Sequence, residues 1–394
     1  MVILSVAWDV YIEGINKSII NPNGCAIAVR QICEYIGRRE TSYLLIGSWP
    51  MEGIKLDNIN VIETAEELPN ERNTGNVDKW QKLLKGIFEH TVKELKPDFI
   101  FLHAPGEFTY KCAKYCQEIN YPYAVICHGL GSSDGKVFIP TEWENRMLSI
   151  KGQKIITVSK RTKERILEFN DSIQDSDITV IPNGTEFHYI ENDIINCGVL
   201  MRKKFHLDGR KILLCVGTIH PNKNQKMLVR AFALLPDEIK QNLCVVFCGK
   251  DSIKVPSRSK LNDFIREMGL ENQIIDAGVL NRAEMTGLYS IADGLAQPSI
   301  YEGMSLAVLE MLSFGAPVIL FADNGGVFEV GDRDASVVVN ERSDNALADA
   351  IIRWYEREWD KRKIKSFSRK FSMERVADDY IRFAKNISMA NMSS

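Results

Sequence analysis

The sequence predicts an α/β chain made of two doubly wound parallel sheets, each in its own domain. Short apolar strands alternate with helical patterns through both halves, as βαβ units require. At 394 residues the chain exceeds what one core serves and suits two domains, each with a sizeable interior. Chemistry-bearing residues also stand directly after apolar strands, where open α/β sheets bind their ligands.

The first half is expected to carry strands at Val2–Ala7, Tyr43–Ile46, Phe99–His103, Tyr123–His128, Ile155–Val158 and Ile178–Ile181. Helices are expected over Cys25–Ile36, over Trp80–Leu95 and from Lys160 onward. The loop from Trp8 to Asn23 is longer than the roughly two to six residues usual between strand and helix, and loops of that length are often functional. It ends in Asn23-Gly24-Cys25-Ala26. His103 and His128 each mark the point where a strand runs into its loop, although a lone histidine is more often structural.

The second half repeats the pattern. Strands are expected at Lys211–Val216, Leu243–Cys248, Gln273–Asp276, Leu295–Gln297 and Val318–Phe321, and helices at Met227–Leu235 and Glu284–Ala292. Residues 185–208 are mixed and polar and suit a linker, giving domains at 1–184 and 209–370 and a final helical segment at 371–394.

The stretch from Pro298 to Gly315 is where chemistry is most legible. Ser305 to Phe314 lacks Pro and Gly and is rich in Leu, Ala, Met and Val, so it should be a helix that Gly315 and Pro317 end. It is apolar nearly all round, as a buried helix is, except for Glu310. A carboxylate there needs a protein or ligand group to answer it, or a route past the helix to solvent. Glu302 lies just ahead, and at the helical rise the two carboxylates are up to about 12 Å apart. Carboxylates that share one glycosidic bond sit closer, at about 5 to 9.5 Å. Between them the leading N–H groups of Gly303, Met304, Ser305 and Leu306 form a ready anion site. Hydroxyl, phosphate, hydroxyl is the order in which a sugar nucleotide presents its polar groups.

Composition excludes several classes. A net charge of −3 without a basic half argues against nucleic acid as partner. Nine scattered cysteines without a C-x-x-C pair suggest free thiols in a reducing cytoplasm rather than a disulfide framework or a zinc site. The amino terminus reads straight into a strand, so no secretory signal is expected, and no apolar run is long enough to span a membrane. Between 353 and 370, eight basic residues interleave with Trp354, Tyr355 and Trp359, which suits either a solvated helix face or peripheral membrane contact.

Glu302 and Glu310, with seven residues between, resemble the E-x7-E motif of retaining glycosyltransferases of the GT-B fold, family 4 type. The longer string Pro298-Ser299-x-Tyr301-Glu302-Gly303-Met304-Ser305-x4-Glu310-x4-Gly315-x-Pro317 carries the resemblance further. So do Val158-Ser159, Pro182-Asn183-Gly184, Gly217-x5-Lys223 and Asn324-Gly325-Gly326-x2-Glu329. The resemblance implies two Rossmann-like domains facing a cleft, with the donor nucleotide in the second and the acceptor mostly in the first, and a final helix from Phe371 onward that packs back on the first domain.

It further implies that Lys223 faces the donor diphosphate beside Gly217, that Gly24 ends the loop that meets donor phosphate and acceptor, and that Glu302 and His128 meet the donor sugar. Glu310 would accept from the ribose, and Gly249, Val279 and Leu280 would border the base. His103 would be an acceptor-cleft or packing residue. The family's Arg after the loop glycine is Thr218 here, and Thr185-Glu186 stands where a hydrophobic residue and Asp are usual. The implied activity is sugar transfer from a nucleotide diphosphate donor, UDP-sugar favoured and GDP-sugar the alternative, to a glycan, lipid-linked or small-molecule acceptor. No metal or other cofactor is expected. An epimerase of sugar nucleotides and a non-catalytic partner subunit on the same fold are the competing readings. A nicotinamide dehydrogenase is the weakest of the readings, because no G-x-G-x-x-G follows the first strand.

Overall fold

The computed structural model describes residues 1–8, 24–47, 56–62, 77–131, 140–186, 191–252 and 255–392. The expected loop up to Asn23 lies outside the described residues. The chain divides into two compact units, one holding the chain up to residue 184 together with the last helix, the other holding 185–372.

The first unit contains β1 (Val2–Ala7), α1 (Gly24–Gly37), β2 (Thr41–Ile46), β3 (Asn60–Val61), α2 (Val77–Leu95), β4 (Phe99–His103), α3 (Glu107–Glu118) and β5 (Tyr123–Cys127). It continues through α4 (Glu142–Leu148), β6 (Lys154–Thr157), α5 (Lys160–Phe169) and β7 (Ile178–Val180). Its parallel strands run in the order β3-β2-β1-β4-β5-β6-β7. The central strands are buried on both faces, which is why they read as unbroken apolar runs such as Phe99-Ile-Phe-Leu.

The second unit begins with α6 (Glu191–Lys204), then β8 (Lys211–Val216), α7 (Gln225–Ala233), α8 (Asp237–Asn242), β9 (Leu243–Cys248), α9 (Arg258–Glu267) and β10 (Ile274–Gly278). It proceeds through α10 (Arg282–Ile291), β11 (Gly294–Gln297), α11 (Leu306–Ser313), β12 (Val318–Phe321), α12 (Val327–Val330), β13 (Ser336–Val339), α13 (Asp344–Glu356) and α14 (Lys361–Ser368). The strand order is β10-β9-β8-β11-β12-β13, again parallel. Both sheets are therefore Rossmann-like. In each, the strand order reverses beside the first strand, and such reversals open a crevice beyond the strand ends.

Helix α6 falls in the polar stretch 185–208. It packs on α10, where Gly287 lies so close to Cys197 that an added Cβ would stand 2.7 Å from its backbone. The last helix, α15 (Met373–Met392), returns to the first unit. Its Met373, Val376, Ala377, Tyr380 and Ala384 join Ile3, Ile32, Phe99 and Phe101 in one buried cluster.

The basic residues between 353 and 370 are exposed on α13, on α14 and in the turns that directly follow them. Trp354 is buried, and Tyr355 and Trp359 pack against the same core cluster. The aromatic half of the run thus faces protein, while its charges face solvent. No helix among the described residues is long and apolar enough to cross a membrane.

Candidate functional site

The second unit's strand order turns between β8 and β11, which are hydrogen-bonded neighbours at the centre of the sheet. The loops that follow these two strands carry Lys223 and Glu302. Gly217 leaves β8 with φ +150, and the Lys223 stem lies over it, since an added Cβ would stand 3.3 Å from Lys223 Cε. A short 3-10 turn over Pro221–Lys223 and a left-handed Asn224 (φ 52) then aim the chain into α7.

Asn222 ties the two loops together. Its Nδ2 donates to the Tyr301 carbonyl at 2.9 Å, its Oδ1 accepts from Tyr301 N–H at 3.2 Å, and its carbonyl accepts from Ile300 N–H at 2.8 Å. This clasp brings Lys223 Nζ into an ion pair with Glu302 Oε1. The two side chains are only 23% and 14% exposed, so water screens the pair far less than at the open surface.

Glu302 is held further by Gln297 Nε2 at 3.1 Å, and the same amide group donates to Ser299 Oγ at 2.6 Å. Gln297 is buried at the end of β11, and its Oε1 accepts from Ser305 Oγ at 3.3 Å. Ser305 occupies the N-cap of α11, yet its side chain makes no bond to the helix amides and turns to Gln297 instead. With Ser305 as N-cap, the helix's leading N–H groups are those of Leu306, Ala307 and Val308, which receive no cap from Ser305 and keep the anion-binding character of a helix start, while Gly303 and Met304 lie just ahead of it. Gly303, Met304 and Leu306 are themselves buried, and Met304, Ser305 and Glu302 line a small cleft with Gln297, Asn324 and Gly326.

The loop after β12 backs this arrangement. A Cβ at Gly325 would stand 1.9 Å from the Glu302 carbonyl, so only glycine allows the two backbones to meet. Arg342 donates to the Pro298 and Ser299 carbonyls at 3.0 and 3.1 Å, and so satisfies backbone that leaves the β11 ladder.

Glu310 lies farther along α11, half-buried. Burial raises its carboxyl above the usual range, and the Tyr289 hydroxyl, donating to Oε2 at 2.8 Å, offsets part of that rise. Nearby, Arg282 and Glu186 pair with each other and act on Glu310 with opposite sign.

Gly249 follows β9 with φ +148, and a Cβ there would lie 2.0 Å from the Gly217 carbonyl, so the loop after β8 rests on it. Its N–H donates to the Gly278 carbonyl at 2.8 Å, which draws the end of β10 to the same edge. Beyond Gly278 (φ +70), Val279 is 63% exposed and Leu280 is half-buried, as residues bordering a planar ligand would be. Arg258 bridges Asp276 and the Gly249 carbonyl and stiffens this rim. Thr218 is half-buried beside Lys223, and its carbonyl accepts from Gln225 at 3.0 Å.

The structure thus gathers Gly217, Thr218, Lys223, Gly249, Val279, Leu280, Glu302, Gly303, Met304, Ser305, Leu306 and Glu310 within one unit. Gly24, the first residue of α1, and His128 belong to the other.

In that unit His128 follows β5, and its Nε2 meets His103 Nδ1 at 3.2 Å, the two rings stacked 12° apart in plane. Burial holds the His128 imidazole down to about 4, with Asn183 favouring the charged ring, and pushes His103 well below its ordinary value. Ala104 takes the left-handed conformation (φ 62) straight after His103, fixed by Thr109 Oγ1 donating to its carbonyl at 2.7 Å. Glu144 accepts from Gly131 N–H at 3.0 Å and fastens the loop that follows His128. Among the described residues, no group of three or more His, Cys, Asp or Glu is placed to hold a metal ion.

The sequence reading did not assign Gln297, Tyr289 or Arg342. Only Gln297 left a signal, as a polar residue ending a buried strand just before the Pro298 motif.

The family model of glycosyl transferases group 1 matches residues 199–371, and that of glycosyltransferase family 4 matches residues 22–188. The chain belongs to the family 4 type of GT-B glycosyltransferases. The family's two models share no residue and between them span most of the sequence. Among curated relatives, an uncharacterized glycosyltransferase of Methanocaldococcus jannaschii is 27% identical over 55% of this chain and 53% of its own length. The serotype-specific mannosyltransferase WbdA of Escherichia coli is 22% identical over 74% of this chain and 38% of its own. The chain thus spans about half, or less, of the length of these relatives. The crystal structure of Anabaena HepE in complex with UDP superposes with a TM-score of 0.72 at 15% identity, covering 98% of this chain and 100% of that one. At that identity the likeness concerns the fold.

Proposed function

We propose that this chain transfers a sugar from a nucleoside diphosphate donor to an acceptor hydroxyl with retention of anomeric configuration. The observation that carries the reading is the Lys223–Glu302 pair, set before the amide-bearing start of α11 at the turning point of the second sheet. A diphosphate laid against the N–H groups of Gly303 to Leu306 competes for Lys223, and the Glu302 carboxylate so released accepts from donor-sugar hydroxyls. Glu310 accepts from the ribose, and Val279 and Leu280 border the base.

In the transfer step the acceptor oxygen forms a bond to the sugar's anomeric carbon while the bond from that carbon to the leaving phosphate oxygen breaks. The acceptor's proton passes to the leaving phosphate on the same face, so no side-chain nucleophile is needed. The charge that develops on the diphosphate is met by preorganised amides and by Lys223, and no Asp-x-Asp pair stands in these loops. A UDP-sugar is the favoured donor, with GDP-sugar the alternative, and the acceptor is a glycan, lipid-linked or small-molecule hydroxyl in polysaccharide or glycoconjugate assembly. WbdA, by name a serotype-specific mannosyltransferase, supports sugar transfer as the class of reaction. The expected setting is the cytoplasm, with any membrane contact resting on the charges of α13 and α14.

A thermal-shift panel of nucleotides and sugar nucleotides, with and without EDTA, tests the reading. Stabilisation by one diphosphate series that survives EDTA and is lost in Glu310→Ala is the expected result. Turnover in Lys223→Ala should fall by about 10² to 10³, the cost of one preorganised charge stabiliser. A fall below about threefold would remove Lys223 from the step.

A further inference from the structure

The pairing of Glu310 with Tyr289 goes beyond what the ribose contact alone requires. Tyr289 is buried on α10, with its ring stacked on Phe314 at 5.8 Å between centroids and 18° between planes. Phe314 caps the end of α11, one turn after Glu310. The hydroxyl therefore approaches Glu310 from a ring whose position is set by α11 itself. Helix α10 is fixed in turn against α6, through the close approach of Gly287 to Cys197.

A carboxylate on a buried helix has a broad, roughly two-fold final torsion and two equivalent oxygens. A donor 2.8 Å from Oε2 removes both freedoms. It fixes the plane of the group and leaves Oε1 as the oxygen open to a ligand. The neighbouring charges do not do this work, because Arg282 and Glu186 are committed to each other and their effects on Glu310 oppose.

We propose that Tyr289 is a positioning residue that sets the plane of the Glu310 carboxylate so that its free oxygen receives the hydroxyls of a ribose. The proposal rests on the reading of Glu310 as the ribose acceptor. It makes Tyr289 a determinant of sugar discrimination within the nucleotide, without contact to the nucleotide. A phenylalanine keeps the ring stack and removes only the oxygen that orients the acid.

The test is calorimetric binding of UDP and GDP, each beside its 2′-deoxy and 3′-deoxy forms, to wild type, Tyr289→Phe and Glu310→Ala. Wild type should prefer the ribonucleotide that it binds by about tenfold or more, the scale of a hydrogen bond to a charged group. Tyr289→Phe should keep its affinity for the deoxy forms within about twofold, while its preference falls to roughly threefold or less. Glu310→Ala should show no preference.

Full ribose preference in Tyr289→Phe, with none in Glu310→Ala, would overturn the role of Tyr289 and leave the Glu310 reading standing. An equal loss of affinity for ribo and deoxy forms in Tyr289→Phe would also overturn it, as the mark of a packing role. Unchanged preference in both variants, or no preference in wild type, would bring down the ribose reading and the inference with it.

Discussion

At the scale of single residues, the two histidines of the first unit have a consequence that reaches past the site. One imidazole of the His103–His128 pair donates and the other accepts, and burial keeps both neutral in the folded chain. The unfolded chain binds protons on them below the ordinary value of 6.5. Because the folded values are depressed, the stability at stake is complete above 6.5 and is lost as pH falls toward about 4. For His128 the loss at pH 4.5 is about 2 to 3 kcal/mol. Urea unfolding of wild type and His128→Gln at pH 7 and pH 4.5 measures it: the variant should lose less stability over that interval. Equal losses would show that the imidazole is not held neutral. The same geometry bears on chemistry, since Nε2 of His128 is committed to His103 and is not an open base.

At the scale of elements, the loops after β8 and β9 are set by glycines whose substitution has a calculable sign. Gly249→Ala forces a Cβ into the Gly217 carbonyl at a positive φ and should destabilise by roughly 2 to 5 kcal/mol through strain and overpacking. Gly86→Ala, on the exposed face of α2 with open space around it, should instead stabilise by about 0.5 to 1 kcal/mol. Paired denaturation curves check both signs, and a neutral Gly249→Ala would mean that the loop relaxes freely. Gly217 and Gly249 were legible because each directly follows an apolar strand, where open α/β sheets bind ligands, and because Gly217-x5-Lys223 resembles the family's loop, and Glu310 was legible because a lone acid on an apolar helix demands an answer. What answered it was not, since Tyr289 comes from another helix 21 residues earlier and no spacing rule predicts that meeting. Lys223 and Glu302, 79 residues apart, were each found by motif, while their pairing depends on the Asn222 clasp between two loops. Helix α3 escaped notice because Gly106 rather than a Ser, Thr or Asp precedes it. Helix α4 is only seven residues long, and α6 spreads its apolar residues round the helix, with Ile195, Val199 and Leu200 exposed, so no apolar stripe shows in sequence.

For the whole molecule, strand alternation told the class of both sheets, but the order of the strands and the destination of the final helix are long-range facts that periodicity does not carry. Tyr380 anchors that helix, fully buried, with its ring edge-on to Phe101 at 5.4 Å. Its hydroxyl is buried without a hydrogen-bond partner among the described residues. Tyr380→Ala should therefore cost about 3 to 5 kcal/mol, while Tyr380→Phe should be neutral or stabilising by about 1 kcal/mol. In calorimetry the loss should fall on the transition of the first unit and leave nucleotide stabilisation of the second in place. A shift of both transitions together would contradict that separation. The division of the first unit across the sequence also sets an order of events during synthesis. While the ribosome makes residues 185–372, the strands bearing Phe99 and Phe101 already exist, yet the helix that covers them has not been made. The second unit can close its core from a continuous stretch of chain, whereas the first must wait for the last residues with an aromatic face uncovered. Nascent chains halted before residue 373 are thus the form of this protein most exposed to chaperones and to aggregation.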